Sequence, residues 1–147
     1  HYYLGLCAYR RGLYRDAVDA FNVAVALAPD AAECYYNRAL ARTALGDEVQ
    51  ARRDYGRALE LKPALGPAAL NRGLLSYRAG SYAAAEADLR LALSLGEDPA
   101  TVHYHLALVR RARGDRPSAL TSVRLAREHR PVSRLARDLE ARIRYEP

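Results

Sequence analysis

The sequence predicts an all-α solenoid, in which pairs of helices stack one after another. Glycine, alanine and proline each recur at the same fixed interval. The three series are Gly12, Gly46, Gly80 and Gly114; Ala17, Ala51, Ala85 and Ala119; and Pro29, Pro63 and Pro131. This interval is 34 residues, for example from Gly12 to Gly46. It is typical of helical repeat arrays, in which each unit packs mainly on its neighbours.

One unit shows why the repeat is a helix pair. In residues 33–45, apolar and small residues recur every three or four positions, which predicts a helix with one packed face. Gly46 is expected to end this helix in a left-handed conformation. Asp47 is expected to cap the next helix and to form a capping box with Gln50. Pro63 then ends the second helix, because proline has no amide hydrogen to donate.

The other units vary this plan at their turns. Ser81 and Asp115 occupy the position of Asp47 and are expected to cap the helices that follow them. The third unit has Glu97 where the others have proline, so Gly96, Asp98 and Pro99 are expected to form its final turn. Pro117 lies just inside a predicted helix start, where proline is tolerated.

Helix packing follows from residue size. Small residues recur at one position of the first helix and larger ones at a position of the second helix. The two series are Gly5, Ala39, Gly73 and Ala107, and Phe21, Tyr55, Leu89 and Val123. Small side chains let two helices approach closely, and the larger series is expected to fill the space between units.

These signals predict that the chain is a single array of repeats. The predicted repeats are 1–31, 32–65, 66–99 and 100–133, followed by a capping helix over 134–147 with Leu135, Leu139 and Ile143 on its packed face. His1 lies inside a helical pattern, so the first repeat is expected to be truncated and the chain to be part of a larger protein. Its many arginines and alanines suggest a bacterial source.

Composition narrows the possible functions. Residues 1–99 carry 12 basic and 12 acidic groups, whereas residues 100–147 carry 11 arginines and 5 acids, so the net charge of +6 lies in the last third. Cys7 and Cys34 have no metal-binding spacing and are interpreted as small packed side chains. No apolar run approaches the roughly 20 residues that cross a membrane, and no signal peptide is visible, so we expect a cytoplasmic location.

The pattern resembles the tetratricopeptide repeat (TPR) family, whose signature is W-x₂-L-G-x₂-Y, then A-x₃-F, then a late proline. Repeat one has Leu4-Gly5, Ala17-x₃-Phe21 and Pro29, and repeat two has Ala51-x₃-Tyr55 and Pro63. The signature tryptophan is absent, and Arg38 and Arg72 replace the signature leucine. The resemblance implies a right-handed α–α superhelix with four helix–turn–helix repeats. It also implies a non-catalytic module that binds a peptide or partner helix in its concave groove.

In this family the first helix of each pair lines the concave side. The residues expected to face a ligand are Tyr2, Tyr36, Asn37, Leu40, Asn71, Leu74, Tyr77, Tyr104, His105, Leu108 and Arg111. Asn37 and Asn71 are the most informative, because an amide offers two donors and one acceptor to an extended backbone. Asparagine is also common at this position in TPR sequences generally, so the pair alone does not establish ligand contact.

Other functions remain as alternatives. The segment could be a structural spacer or scaffold, or it could self-associate through its repeat ends. The arginine-rich end could contact an acidic partner or nucleic acid, or it could be a solvated cap. Nothing in the sequence predicts an enzyme, a metal site or a cofactor. Some members of the family bind the carboxyl-terminal end of a peptide with a clamp of lysine, asparagine and arginine. The matching positions here are Tyr2, Leu6, Asn37, Pro67 and Asn71, of which one in five agrees, so we do not expect this clamp.

Overall fold

A computed structural model describes residues 1–146, which form nine α-helices and no β-strand. The helices are α1 Tyr2–Arg10, α2 Tyr14–Leu27, α3 Ala32–Ala44, α4 Glu48–Leu61, α5 Gly66–Arg78, α6 Tyr82–Ser94, α7 Pro99–Ala112, α8 Arg116–His129 and α9 Arg134–Tyr145. The predicted all-α class is confirmed. Among the described residues, none of the helices combines the length and the apolar character that a membrane span requires.

The chain divides into two compact units. Residues 1–68 contain α1 to α4 and the start of α5. In this unit, α1 packs on α2, α2 on α3 and α3 on α4. The second unit begins at Ala69 and contains the rest of α5 and α6 to α9. Within it, α6 packs on α7, α7 on α8 and α8 on α9.

The predicted turns depend on glycine. Gly46 has φ +82°, and its amide donates to the carbonyl of Thr43 at 3.0 Å, which ends α3 as expected. The Asp47 side chain accepts from the amide of Gln50 at 3.4 Å, so it caps α4. The second half of the predicted capping box is wrong, because the Asp47 amide already donates to the Arg42 carbonyl at 2.9 Å.

Three more helix starts test the predicted turns. Asp115 and Asp98 accept from the amides three residues later, at 3.2 Å each, and cap α8 and α7. Ser81 is the N-cap residue of α6, as predicted, but its side chain makes no hydrogen bond to the helix. Gly96, with φ +91°, and Asp98 do form the turn of the irregular third unit.

The core repeats with the period of the sequence. Ala17, Ala51, Ala85 and Ala119 are each 0% exposed, and Phe21, Tyr55, Leu89 and Val123 are at most 1% exposed. Size matching is tight in the first pair, where a Cβ atom on Gly5 would lie 2.6 Å from Cε1 of Phe21. Glycine at this position is therefore what allows a phenylalanine to occupy the gap.

Two packing predictions are wrong. Cys7 is exposed, whereas Cys34 is buried as predicted. In α9, Leu139 and Ile143 are buried against α8, but Leu135 is 66% exposed and Ala136 takes its place in the core. The packed face of α9 thus keeps two of its three predicted residues, and the spacing of 136, 139 and 143 follows the helical period more closely than that of 135, 139 and 143.

Candidate functional site

The sequence-predicted ligand residues all lie on first helices of pairs, and each is half-buried. They comprise Tyr2 on α1; Tyr36, Asn37 and Leu40 on α3; Asn71, Leu74 and Tyr77 on α5; and Tyr104, His105, Leu108 and Arg111 on α7. Half-burial is what a binding surface needs, since such side chains are held in place and are still accessible.

In the first unit, the Asn37 side chain is held by two hydrogen bonds. Its Nδ2 atom donates to the hydroxyl of Tyr2 at 3.1 Å and to the carbonyl of Glu33 at 2.8 Å. Both amide hydrogens are therefore used, and Oδ1 is left as the group that can accept a bond from a ligand. Burial raises the pKa of Tyr2, so its phenol stays neutral at physiological pH.

In the second unit, four predicted residues meet at one cavity of about 250 Å³. Leu74, Tyr77, His105 and Leu108 line it together with Arg78, Leu89 and Val109. Tyr77 is further supported by the ring of Tyr82, whose centroid lies 6.0 Å away. The walls are thus mainly aliphatic and aromatic, which is the usual character of a ligand pocket.

His105 is the polar group in this wall that lacks a partner. Its Nδ1 atom is buried and makes no hydrogen bond within the described part of the chain. An unpaired buried polar atom of this kind costs about 1–3 kcal/mol. Burial also lowers the pKa of His105, so the imidazole is neutral at pH 7. Its ring packs at 5.3 Å from that of Tyr104, and both residues line a second cavity of about 160 Å³.

Arg111 is separated from these residues. It lines a different cavity, of about 240 Å³, with Arg116, Ile143 and Glu146. Its guanidinium forms an ion pair with Glu146 at 3.3 Å. Arg116 beside it donates to the carbonyls of Ile143, Arg144 and Glu146 and so satisfies the end of α9.

Two buried ion pairs were not predicted from the sequence. Asp54 accepts from Nε and Nη2 of Arg38 at 2.8 and 2.7 Å and from Arg42 at 2.8 Å. Asp88 accepts from Nε and Nη2 of Arg72 at the same two distances. The arginines that replace the signature leucine therefore hold the two helices of a pair together. The available signal was an aspartate that follows each of them at the same interval in the sequence.

Two glutamates each form ion pairs with three arginines. Glu86 pairs with Arg90, Arg110 and Arg113 at 2.8–3.0 Å. Burial alone would raise the pKa of Glu86, but the hydrogen bond from Arg110 and the three positive charges outweigh it and lower the pKa. A carboxylate held in this way stays ionised and fixes the surrounding guanidinium groups.

Glu140 forms the second of these clusters, with Arg124, Arg127 and Arg144. The hydrogen bond from Arg127 and the neighbouring charges lower the pKa of Glu140 in spite of its burial. Of the 11 arginines in residues 100–147, nine bond or pair within the chain. These are Arg110, Arg111, Arg113, Arg116, Arg124, Arg127, Arg130, Arg134 and Arg144.

The two histidines of α7 point to different neighbours. The ring of His103 stacks on that of His129 with centroids 6.1 Å apart, whereas His105 faces the cavities described above. In residues 1–146, no group of three histidine, cysteine or carboxylate side chains is placed to hold a metal ion.

Similarity to known proteins is found along the chain. Profiles of the tetratricopeptide repeat family match residues 1–31 and 32–65. The photosystem I assembly protein Ycf3 of Cyanophora paradoxa is 34% identical over 104 residues, which cover 68% of this chain and 60% of that protein. Tetratricopeptide repeat protein 36 of Homo sapiens is 38% identical over 96 residues, which cover 63% and 51%. The chain thus spans 60% and 51% of these relatives.

Solved structures share the fold at low sequence identity. MamA superposes with a TM-score of 0.91 at 18% identity, covering 95% of this chain and 82% of MamA. The first TPR domain of Spaghetti (RPAP3), bound to the HSP90 peptide SRMEEVD, superposes with a TM-score of 0.73 at 19% identity, covering 77% of this chain and 90% of that domain. YrrB, described as a TPR protein with an unusual peptide-binding site, superposes with a TM-score of 0.76 at 24% identity, covering 86% of this chain and 66% of YrrB. The profile matches show that residues 1–65 belong to the tetratricopeptide repeat family, and the solved structures show that the chain shares their fold.

Proposed function

We propose that this chain is a cytoplasmic, non-catalytic interaction module that binds an extended segment of a partner protein on the first helices of its repeats. The observation that carries the proposal is the cavity of about 250 Å³ at which Leu74, Tyr77, His105 and Leu108 meet. Peptide binding by two structural neighbours, the Spaghetti domain and YrrB, supports the same type of function.

Asn37 gives the proposal a specific contact. Because both of its amide hydrogens are used within the protein, its Oδ1 atom would accept a hydrogen bond from a peptide N–H. Its position is fixed by Tyr2, so little side-chain entropy is lost on binding. Asn71 occupies the same position one repeat later and would add a second contact to the peptide backbone.

The experiment is a peptide display screen at physiological salt, with wild-type protein and the Asn37→Ala/Asn71→Ala variant in parallel. We expect the wild type to enrich a consensus peptide and the variant to bind it at least tenfold more weakly, with unchanged helicity by circular dichroism. Asn22→Ala is the matched control, because Asn22 is an exposed asparagine on the second helix α2, where its Oδ1 atom accepts from Arg38 at 2.9 Å. Equal loss of binding in this control, or enrichment by neither protein, would contradict the proposal.

Self-association is a second candidate, favoured by exposed apolar residues on α1. Tyr3 is 78% exposed and Leu4 is 64% exposed. Light scattering during gel filtration, over a range of protein concentrations, tests this alternative. A dimer or larger assembly that Leu4→Glu converts to monomer would favour it over peptide capture. A wild type that stays monomeric at every concentration would exclude it.

A further inference from the structure

We propose that the cavity lined by Leu74, Tyr77, His105 and Leu108 takes the side chain of a tyrosine from an acidic segment of the partner protein. The inference rests on the proposed function, since it names the residue that the interaction module selects. It is confined to residues of the second unit, all of which line a single cavity.

The size and walls of the cavity fit one aromatic ring. Its volume is about 250 Å³, and a dry apolar cavity of about 150 Å³ is enough to hold benzene. Leu74, Leu89, Leu108 and Val109 supply aliphatic wall area, and Tyr77 supplies an aromatic face. One substituted ring therefore fits, and edge-to-face contact with an aromatic wall favours a ring over an aliphatic side chain.

The hydroxyl of a tyrosine could form a hydrogen bond with His105, which lines the cavity and has a buried ring nitrogen without a partner in residues 1–146. Nδ1 of His105 is buried and has no hydrogen-bond partner in the described residues. His105 lines this cavity, and because the torsion about Cβ–Cγ of a histidine is broad, a rotation of its ring would offer an imidazole nitrogen to an occupant. A phenol can donate to a neutral imidazole or accept from it, whereas phenylalanine and leucine can do neither.

Charge favours acidic residues beside that tyrosine. Arg78 lines the same cavity, and residues 100–147 carry 11 arginines against 5 acids. Although most of these arginines pair internally, the excess of positive charge remains and attracts a negatively charged segment. Arg78 would repel a basic segment at this cavity.

The test uses fragments in place of the unidentified partner. p-Cresol and toluene, which are the side chains of tyrosine and phenylalanine, are titrated into the protein while the methyl resonances of Leu74 and Leu108 are followed by NMR. We expect both fragments to shift these methyls and p-cresol to bind about fivefold more tightly, as one added hydrogen bond implies. In His105→Phe the preference should vanish, whereas His103→Phe, the matched control on the same helix, should keep it.

Two short peptides extend the test to the flanking charges. EEYEE should bind about fivefold more tightly than EEFEE by the same hydrogen bond, and more tightly than KKYKK, with the last difference shrinking as salt is raised. Equal affinity for EEYEE and KKYKK would overturn the proposal that the tyrosine lies in an acidic segment. Equal affinity for p-cresol and toluene, or methyls that neither fragment moves, would overturn the tyrosine.

The two proposals fail in different ways. If display enriches a peptide whose binding needs Asn37 while neither fragment reaches Leu74 and Leu108, the interaction module stands and the tyrosine pocket is wrong. If p-cresol binds the cavity as described while display enriches nothing, the pocket is real and peptide capture is wrong.

Discussion

Single residues hold the helix pairs together through buried charge. Asp54 is 4% exposed and is reached by both Arg38 and Arg42. Removing one member of a buried ion pair is costly because it leaves the other charge without compensation. The bidentate geometry adds direction to this attraction, since a guanidinium and a carboxylate can form two parallel bonds only in one relative orientation.

Replacing Asp54 by alanine should therefore destabilise the protein. We expect the free energy of unfolding to fall by about 2–4 kcal/mol, because two arginines lose their shared carboxylate. Urea unfolding followed by circular dichroism measures the change. Asp19→Ala is the control, since Asp19 is an exposed aspartate on α2 and should change stability by less than about 0.5 kcal/mol. A similar effect of both substitutions would contradict the role of the buried pair.

The two half-buried histidines of α7 should make stability depend on pH. Burial lowers the pKa of His103 and of His105 in the folded protein. Below an ordinary histidine pKa of about 6.5, the unfolded chain therefore binds protons that the folded chain does not. The free energy of unfolding consequently decreases as the pH is lowered. We expect a decline between about pH 6.5 and 5, measured by urea unfolding at each pH.

The carboxylates act in a lower range. The lowered pKa values of Glu86 and Glu140 contribute stability that is lost only below about pH 4.5. The variant His103→Phe/His105→Phe should thus remove the decline above pH 5 and keep the one below it. A profile that is unchanged in this variant would show that the histidines are not responsible.

At the scale of the helix pair, residue size sets how closely two helices approach. Gly5 and Gly73 occupy the same position on α1 and α5, but the space around them differs. A Cβ atom would lie 2.6 Å from the ring of Phe21 at Gly5, and 3.2 Å from its nearest neighbour at Gly73. The ring of Phe21 thus leaves less room beside Gly5 than Asp88 and Leu89 leave beside Gly73.

Gly5→Ala should consequently destabilise the protein, by about 1–3 kcal/mol through overpacking. Gly73→Ala should be nearly neutral, because the gain of about 1 kcal/mol in helix propensity offsets a smaller clash. In a Phe21→Leu background the cost of Gly5→Ala should largely disappear, which a double-mutant cycle of urea unfolding measures. Additive effects of the two substitutions would refute the size match.

The last helix offers a matched pair of leucines. Leu139 is 3% exposed and belongs to the core shared by α8 and α9, whereas Leu135 is 66% exposed. We expect Leu139→Ala to reduce the free energy of unfolding by about 2–4 kcal/mol and Leu135→Ala by less than about 1 kcal/mol. Thermal and urea unfolding of both variants measure these changes. A larger loss of stability in Leu135→Ala than in Leu139→Ala would contradict the burial of Leu139 in the core.

For the whole molecule, internal pairing limits what the arginine excess can do. Nucleic-acid affinity depends on basic groups that can release counterions from phosphates, and here most guanidinium groups of residues 100–147 already bind carboxylates or carbonyls. The net charge is unchanged by this pairing, but few of the donors can turn toward a phosphate without breaking an internal contact.

We therefore expect negligible binding of a fluorescent single-stranded DNA oligonucleotide at physiological salt, weaker than about 100 µM by anisotropy. The variant Glu86→Gln/Glu140→Gln serves as the comparison, because it releases arginines from both clusters and should bind more tightly at low salt. Micromolar binding by the wild type, with a steep dependence on salt, would instead support a nucleic-acid role.

The sequence predicted those parts of the molecule that depend on local rules. The repeat period predicted the helices, and Gly46 and Asp115 predicted a turn and a cap, because backbone conformation and capping involve only a few adjacent residues. Leu135 and Cys7 were predicted wrongly because their exposure is set by packing geometry. The pairs Arg38–Asp54 and Arg72–Asp88 were missed for the same reason, since residues so far apart in sequence come into contact only when two helices fold back on each other.

The spacing of these paired residues bears on how such arrays grow. The size match of Gly5 with Phe21 and the ion pairs of Arg38 with Asp54 and Arg72 with Asp88 each lie within a single repeat. A gene duplication that copies one repeat therefore copies both members of every such pair. The new repeat inherits its internal contacts complete, and later mutations have to adjust only the faces it shares with its neighbours.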